Sequence, residues 1–120
     1  MSSATFLPTY FEKLDGGEDI MPLLAPGFTF ALLWSTDAGA QEFAGGFDAF
    51  EGYLAQREPD GQLHHINVST REDRTEVASG WTTRYGELLA TFTFAVELDE
   101  DERAVRLFAA RTLAFGGVPF

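Results

Sequence analysis

The stretch Leu88-Leu89-Ala90-Thr91-Phe92-Thr93-Phe94-Ala95-Val96-Glu97-Leu98 constrains the fold of this chain more than any other. Leu88, Ala90, Phe92, Phe94, Val96 and Leu98 alternate with Thr91, Thr93, Ala95 and Glu97. That period of two belongs to a strand that buries one face. A strand needs neighbours, and Leu63–Arg71, Arg74–Tyr85 and Arg103–Phe115 also read as strands. The turns between them fall at Glu72-Asp73, Gly86-Glu87 and Asp99-Glu100-Asp101-Glu102. Links this short make consecutive strands antiparallel.

The preceding half reads as cover for that sheet. Thr5–Asp15 predicts a helix, because Phe6, Leu7, Tyr10, Phe11 and Leu14 form one apolar stripe. Pro8 is tolerated in its first turn, and Gly16-Gly17 ends it. Glu18–Leu24 predicts a second, short helix, shortened by Pro22. Phe28–Trp34 predicts a first strand, and Ser35–Gly45 a loop with at most a short strand at Glu42–Ala44. Phe47–Arg57 predicts a third helix, with Phe47, Phe50, Tyr53 and Leu54 on one side. The order is α+β: a curved antiparallel sheet packed against about three N-terminal helices, in a single domain over residues 1–120.

A chain of 120 residues with 45 % hydrophobic side chains is large enough for its own core. Twelve Phe, two Trp and three Tyr either thicken that core or line an apolar cavity. The net charge of −11 argues against nucleic acid and against anionic membranes as partners. The absence of cysteine removes disulfides and thiolate metal sites. The first residues lack a basic, apolar leader, so a cytoplasmic location is expected. No phosphate-binding glycine loop or metal-ligand spacing is present, and neither cofactor nor metal is expected.

Three short stretches carry a family likeness. Tyr10-Phe11-Glu12-Lys13-Leu14-Asp15-Gly16-Gly17-Glu18-Asp19, Gly46-Phe47-Asp48-Ala49-Phe50 and Leu63-His64-His65-Ile66-Asn67 resemble segments of the nuclear transport factor 2-like superfamily. The likeness is to its SnoaL-like, polyketide cyclase and scytalone dehydratase-like branch. It implies a cystatin-like cone whose concave side and helices enclose an apolar pocket for a small hydrophobic molecule. It also implies a homodimer formed through the outer face of the sheet.

Within that frame the candidate chemistry rests on few residues. Tyr10 matches a tyrosine that donates to an oxyanion in ketosteroid isomerase relatives, and equally suits a core or pocket wall. The relatives' carboxylate positions fall on Leu32 and near Thr91 or Phe94, so Asp37 in the loop is the remaining acid. His64 and His65 are adjacent on a strand and point to opposite faces. Periodicity places His64 inward with Ile66 and Val68, whereas the family-like position of a dehydratase histidine fits His65. Trp34, Trp81, Phe11, Leu14, Phe30 and Tyr53 are candidate ligand-binding residues, as are Phe92 and Phe94. Arg111 suits the dimer interface first, then a carboxylate partner or an anionic ligand. Two functions follow: a binding module with an apolar pocket, or a cofactor-free isomerase, dehydratase or cyclase using a pocket histidine.

Overall fold

The computed structural model describes residues 4–36, 38–56 and 61–113. Helix α1 spans Phe6–Asp15, a 3₁₀ turn spans Met21–Leu23, and strands β1 (Leu24–Thr36) and β2 (Gly39–Gly46) follow. Helix α2 (Phe47–Ala55) leads to β3 (Gln62–Glu72), β4 (Thr75–Arg84), β5 (Glu87–Leu98) and β6 (Ala104–Leu113). The strands form one sheet in the order β2-β1-β6-β5-β4-β3. All neighbours are antiparallel except β1 and β6, which run parallel, so the sheet is mixed rather than purely antiparallel.

Two further expectations need correction. The short second helix is a single 3₁₀ turn with Pro22 inside it, which leaves two α-helices among the described residues. The loop expected from Ser35 to Gly45 is largely β2, pairing Gly39 to Gly46 with Thr36 back to Thr29 of β1. Its Gly, Ala, Gln and Glu residues have little strand preference; backbone pairing with an aromatic-rich neighbour holds it in place.

One face of the sheet is covered by both helices. Phe6, Leu7, Tyr10 and Phe11 of α1 are buried against Phe92, Phe94, Val96 and Leu98 of β5. From α2, Phe50 is 1 % exposed and wedges between Phe28 and Phe30, with ring centroids 5.1 and 4.9 Å away. Full burial of one such ring contributes about 2–3 kcal/mol.

Two bulges decide what the covered face carries. Between Ile66 and Val68 the β3–β4 register slips by one residue. Beyond it Val68 turns outward and is 58 % exposed, while Arg71 lies opposite Glu76 on the covered side. Strict alternation had paired Val68 with His64 and Arg71 with His65. A second slip sets Leu88 opposite Thr83 and Ala90 opposite Thr82, so Leu88 leaves the apolar face of β5 and is exposed.

The first bulge also builds the seat of α1. Glu76, fully buried on β4, accepts the N–H groups of Thr5 and Phe6 at 3.0 Å and of Leu7 at 2.9 Å. These are donors that a helix cannot satisfy internally, and the carboxylate also complements the helix dipole. Arg71 Nη1 reaches Glu76 at 3.3 Å and Glu102 at 2.6 Å, and Nη2 donates to Glu102 at 2.7 Å. One end of α1 is thereby fixed to two strands, β3 and β4, and to the tip of the β5–β6 hairpin.

Candidate functional site

The other end of α1 carries the most distinctive polar contact of the covered face. Asp15, its last residue, accepts the backbone N–H of His64 on Oδ2 and pairs with His64 Nδ1 through Oδ1, each at 2.7 Å. Side-chain exposures are 3 % for His64 and 12 % for Asp15. A carboxylate is an acceptor, so Nδ1 carries the proton and Nε2 holds the lone pair of the neutral ring. The imidazole lies flat on Phe11 at 4.6 Å and meets Phe92 and Phe94 edge-on at 5.4 and 6.2 Å.

Alternation along β3 thus resolves the histidine pair: His64 looks to the helices and His65 looks away. His65 Nε2 lies 2.8 Å from Thr83 Oγ1, and its ring stacks on Trp81 at 5.6 Å. Trp81, 39 % exposed, shares that outer face and stands apart from the helix-covered side.

Tyr10 is 3 % exposed and packs among Phe6, Phe11 and Phe94. Leu14 borders the same cluster, and Phe30 and Tyr53 join it from β1 and α2 through Phe43 and Phe50. Asp37 lies outside the described residues. Arg111 shares the inward face of β6 with the buried Leu107 and Ala109, and its Nη2 donates to Thr82 Oγ1 at 3.3 Å. Thr82 is fully buried and is the register partner of His64. Trp34 is the register partner of Arg111 across the parallel pair. Leu32, Trp34 and Arg111 are all half-buried, whereas Phe28, Phe30 and Leu107 lower on the same strands are closed off. Among the described residues, the covered face is therefore least closed at the Trp34–Arg111 end.

Recesses elsewhere are of a different kind. One of about 640 Å³ lies between Leu24, Phe28, Phe47 and Arg103 at the start of α2. Another of about 420 Å³ crosses the outer face beside Trp81, Ser79, Thr91 and Thr93. Neither is lined by Asp15 or His64. Among the described residues no three His, Cys, Asp or Glu side chains group as a metal site. No helix among them is long and apolar enough to cross a membrane.

Asp15 is the residue that sequence reasoning missed. Its signal was local: an acid at the last position of a helix opposes the dipole, so another partner has to justify it.

No protein-family model matches the sequence, and no curated protein matches it significantly. Solved structures do share the architecture. A candidate ketosteroid isomerase from Kribbella flavida superposes with a TM-score of 0.64 at 14 % identity, over 96 % of this chain and 81 % of that one. A candidate isomerase of the SnoaL-like family from Agrobacterium tumefaciens gives 0.65 at 15 % identity, over 92 % and 95 %. The fold is that of the nuclear transport factor 2-like proteins. A candidate polyketide cyclase from Sinorhizobium meliloti shows the same nuclear transport factor 2-like architecture, with a TM-score of 0.60 at 14 % identity over 87 % and 92 %. The resemblance expected from the Tyr10, Gly46 and Leu63 segments is met at the level of fold.

Proposed function

We propose that this nuclear transport factor 2-like protein is a cofactor-free proton-transfer enzyme of isomerase, dehydratase or cyclase type, acting on a small hydrophobic carbonyl compound. The Asp15–His64 contact carries the reading. A carboxylate that fixes the tautomer of an imidazole and supports its positive form is the arrangement of an oriented general base. The aromatic surroundings of His64 suit an apolar substrate, and the similarity to candidate isomerases and cyclases agrees with it. His64 takes and returns the proton, Asp15 orients it, and Tyr10 lies within the same aromatic cluster.

The test is exchange of the α-hydrogens of tetralone in heavy water, followed by NMR. Wild type should exceed His64→Gln by about a hundredfold or more, the usual reach of a positioned acid–base group. Exchange that survives in His64→Gln removes the reading. Ligand binding without exchange would support a second reading, a binding module, which the lack of a carboxylate at Leu32, Thr91 and Phe94 favours.

The same reading pairs two copies through the outer face of the sheet. Val77, Ala95 and Phe108 lie in register across β4, β5 and β6, with Val77 and Phe108 37 and 42 % exposed. Sedimentation of Phe108→Glu against wild type tests it: a dimer that the substitution leaves intact would reject this face.

A further inference from the structure

The outer face of the sheet divides into two halves of different chemistry. Val77, Ala95 and Phe108 form an apolar row across β4, β5 and β6. Four residues further along each strand, roughly 13 Å away at the ordinary strand rise, stand Trp81, Thr91 and Thr112, again in register. Ser79 and Thr93 pair in the row between. With Asn67 at the β3 bulge, these side chains line the outer groove of about 420 Å³, and the apolar row does not. Threonine is ordinary on a strand surface. An exposed indole set among hydroxyls is not.

The indole is also held in place. The contact of His65 Nε2 with Thr83 Oγ1 at 2.8 Å sets the imidazole, which lies within 19° of parallel to Trp81 at 5.6 Å. His65 stands on β3 and the groove lies over β5, the strands on either side of β4. One face of the indole is therefore braced by the imidazole, and the other is a wall of the groove. The remaining lining is uncharged. Among the described residues no Asp, Glu, Lys or Arg borders this groove, in a chain with 19 acidic and 8 basic side chains. Its hydroxyls and its carboxamide can each donate and accept.

A fixed apolar wall beside neutral groups that both donate and accept selects among ligand classes. An anion finds no guanidinium or ammonium here to replace its water. A flat aromatic molecule would cover the indole but leave the hydroxyls without partners, which costs more than the stacking returns. A sugar ring offers both halves of the match, with C–H groups on its face and hydroxyls around its rim. We infer that this groove is a binding site for a neutral saccharide, with one ring packed on Trp81 and its hydroxyls bonded to Thr91, Thr93, Ser79 and Asn67. The site lies on the opposite face of the sheet from His64 and does not depend on the proton-transfer reading.

The experiment titrates the wild-type protein with cellobiose, maltose, lactose and chitobiose, with sorbitol as a polyol that has no ring face. The indole N–H signals of Trp34 and Trp81 are followed by NMR, together with the backbone signals of β4 and β5. At least one disaccharide should give saturable shifts centred on Trp81, Thr91 and Thr93, and sorbitol should give none. Trp81→Ala should weaken binding at least about tenfold through loss of the apolar wall. Thr91→Val, which keeps the shape and removes the hydroxyl, should weaken it about two- to tenfold, the reach of one neutral hydrogen bond. Silence with all four disaccharides overturns the inference, as does an equal response to sorbitol. Shifts centred on Trp34 or His64 would put the sugar on the other face and overturn it as well. Binding seen only in Phe108→Glu would mean that a partner copy covers the groove, and rejects it as a site of the assembled protein. The location of the wild-type shifts decides the matter even if Trp81→Ala does not fold.

Discussion

Gly80 lies against the carbonyl of His65 so closely that a Cβ built on it would stand 1.9 Å from that oxygen. Gly80 pairs with Ile66, the last residue before the β3 bulge. Backbone cannot move aside as a flexible side-chain tip can, so an alanine here must displace the bulge. Gly80→Ala should cost about 3 kcal/mol or more in denaturant unfolding, at the upper end of single substitutions. A cost within 0.5 kcal/mol, roughly that of a surface change, would show that the bulge relaxes freely.

Glu76 makes a second, independent prediction. Glu76→Ala strands three helix N–H groups and leaves Arg71 without one of its carboxylates. The expected loss is about 3 kcal/mol, the range for breaking a buried charge-assisted network. Glu76→Gln keeps one acceptor oxygen but turns an amide N–H₂ toward N–H donors, and should lose roughly half as much. Equal losses for the two variants would mean that the carboxylate geometry is not what matters.

Asp15→Asn removes one of two acceptors from a point where two donors of His64 converge. A loss of about 1–2 kcal/mol is expected, together with an imidazole nitrogen spectrum that shifts toward a mixture of tautomers. An unchanged single tautomer would show that something other than Asp15 sets the proton on Nδ1.

Acid should weaken the seat of α1 through a defined pair of groups. Hydrogen bonding to Arg71 holds the Glu102 carboxyl below its ordinary value, and the backbone N–H of Arg103 does the same for Asp99. A carboxyl lowered on folding lends stability that is complete above its unfolded value and is lost as pH falls through the folded one. Thermal midpoints should therefore hold steady above the ordinary carboxylate range and fall below it. Glu102→Gln should flatten the acid limb of that curve. A limb of unchanged steepness would assign the acid sensitivity elsewhere.

What was legible in the sequence was whatever depends on near neighbours. The apolar ladder of β5 stood out because Phe92, Phe94, Val96 and Leu98 repeat every second residue, and α1 because its stripe repeats every three to four. The β2 strand was illegible, since Gly39–Gly46 forms a strand by docking on β1 rather than by its own preference. Each bulge inserts one residue and breaks the alternation across it, so Val68 and Arg71 beyond the first bulge and Leu88 before the second were placed on the wrong faces. Of the candidate site, His64 was found by alternation and Asp15 was not. Their contact spans 49 positions of chain, a distance over which no periodicity speaks.

The parallel pairing of β1 with β6 has a consequence for how the chain assembles. The β1–β2 hairpin and the β3–β4–β5 meander can each form from near neighbours, but in the sheet it is β6 that stands between them. Until that strand is synthesised, a nascent chain holds two half-sheets with exposed edges, α1 packing on β3 and β4 and α2 on β1 and β2. The rate-limiting event should be insertion of the latest strand into the middle, a long loop closure of the kind that slows folding and leaves edges open to aggregation.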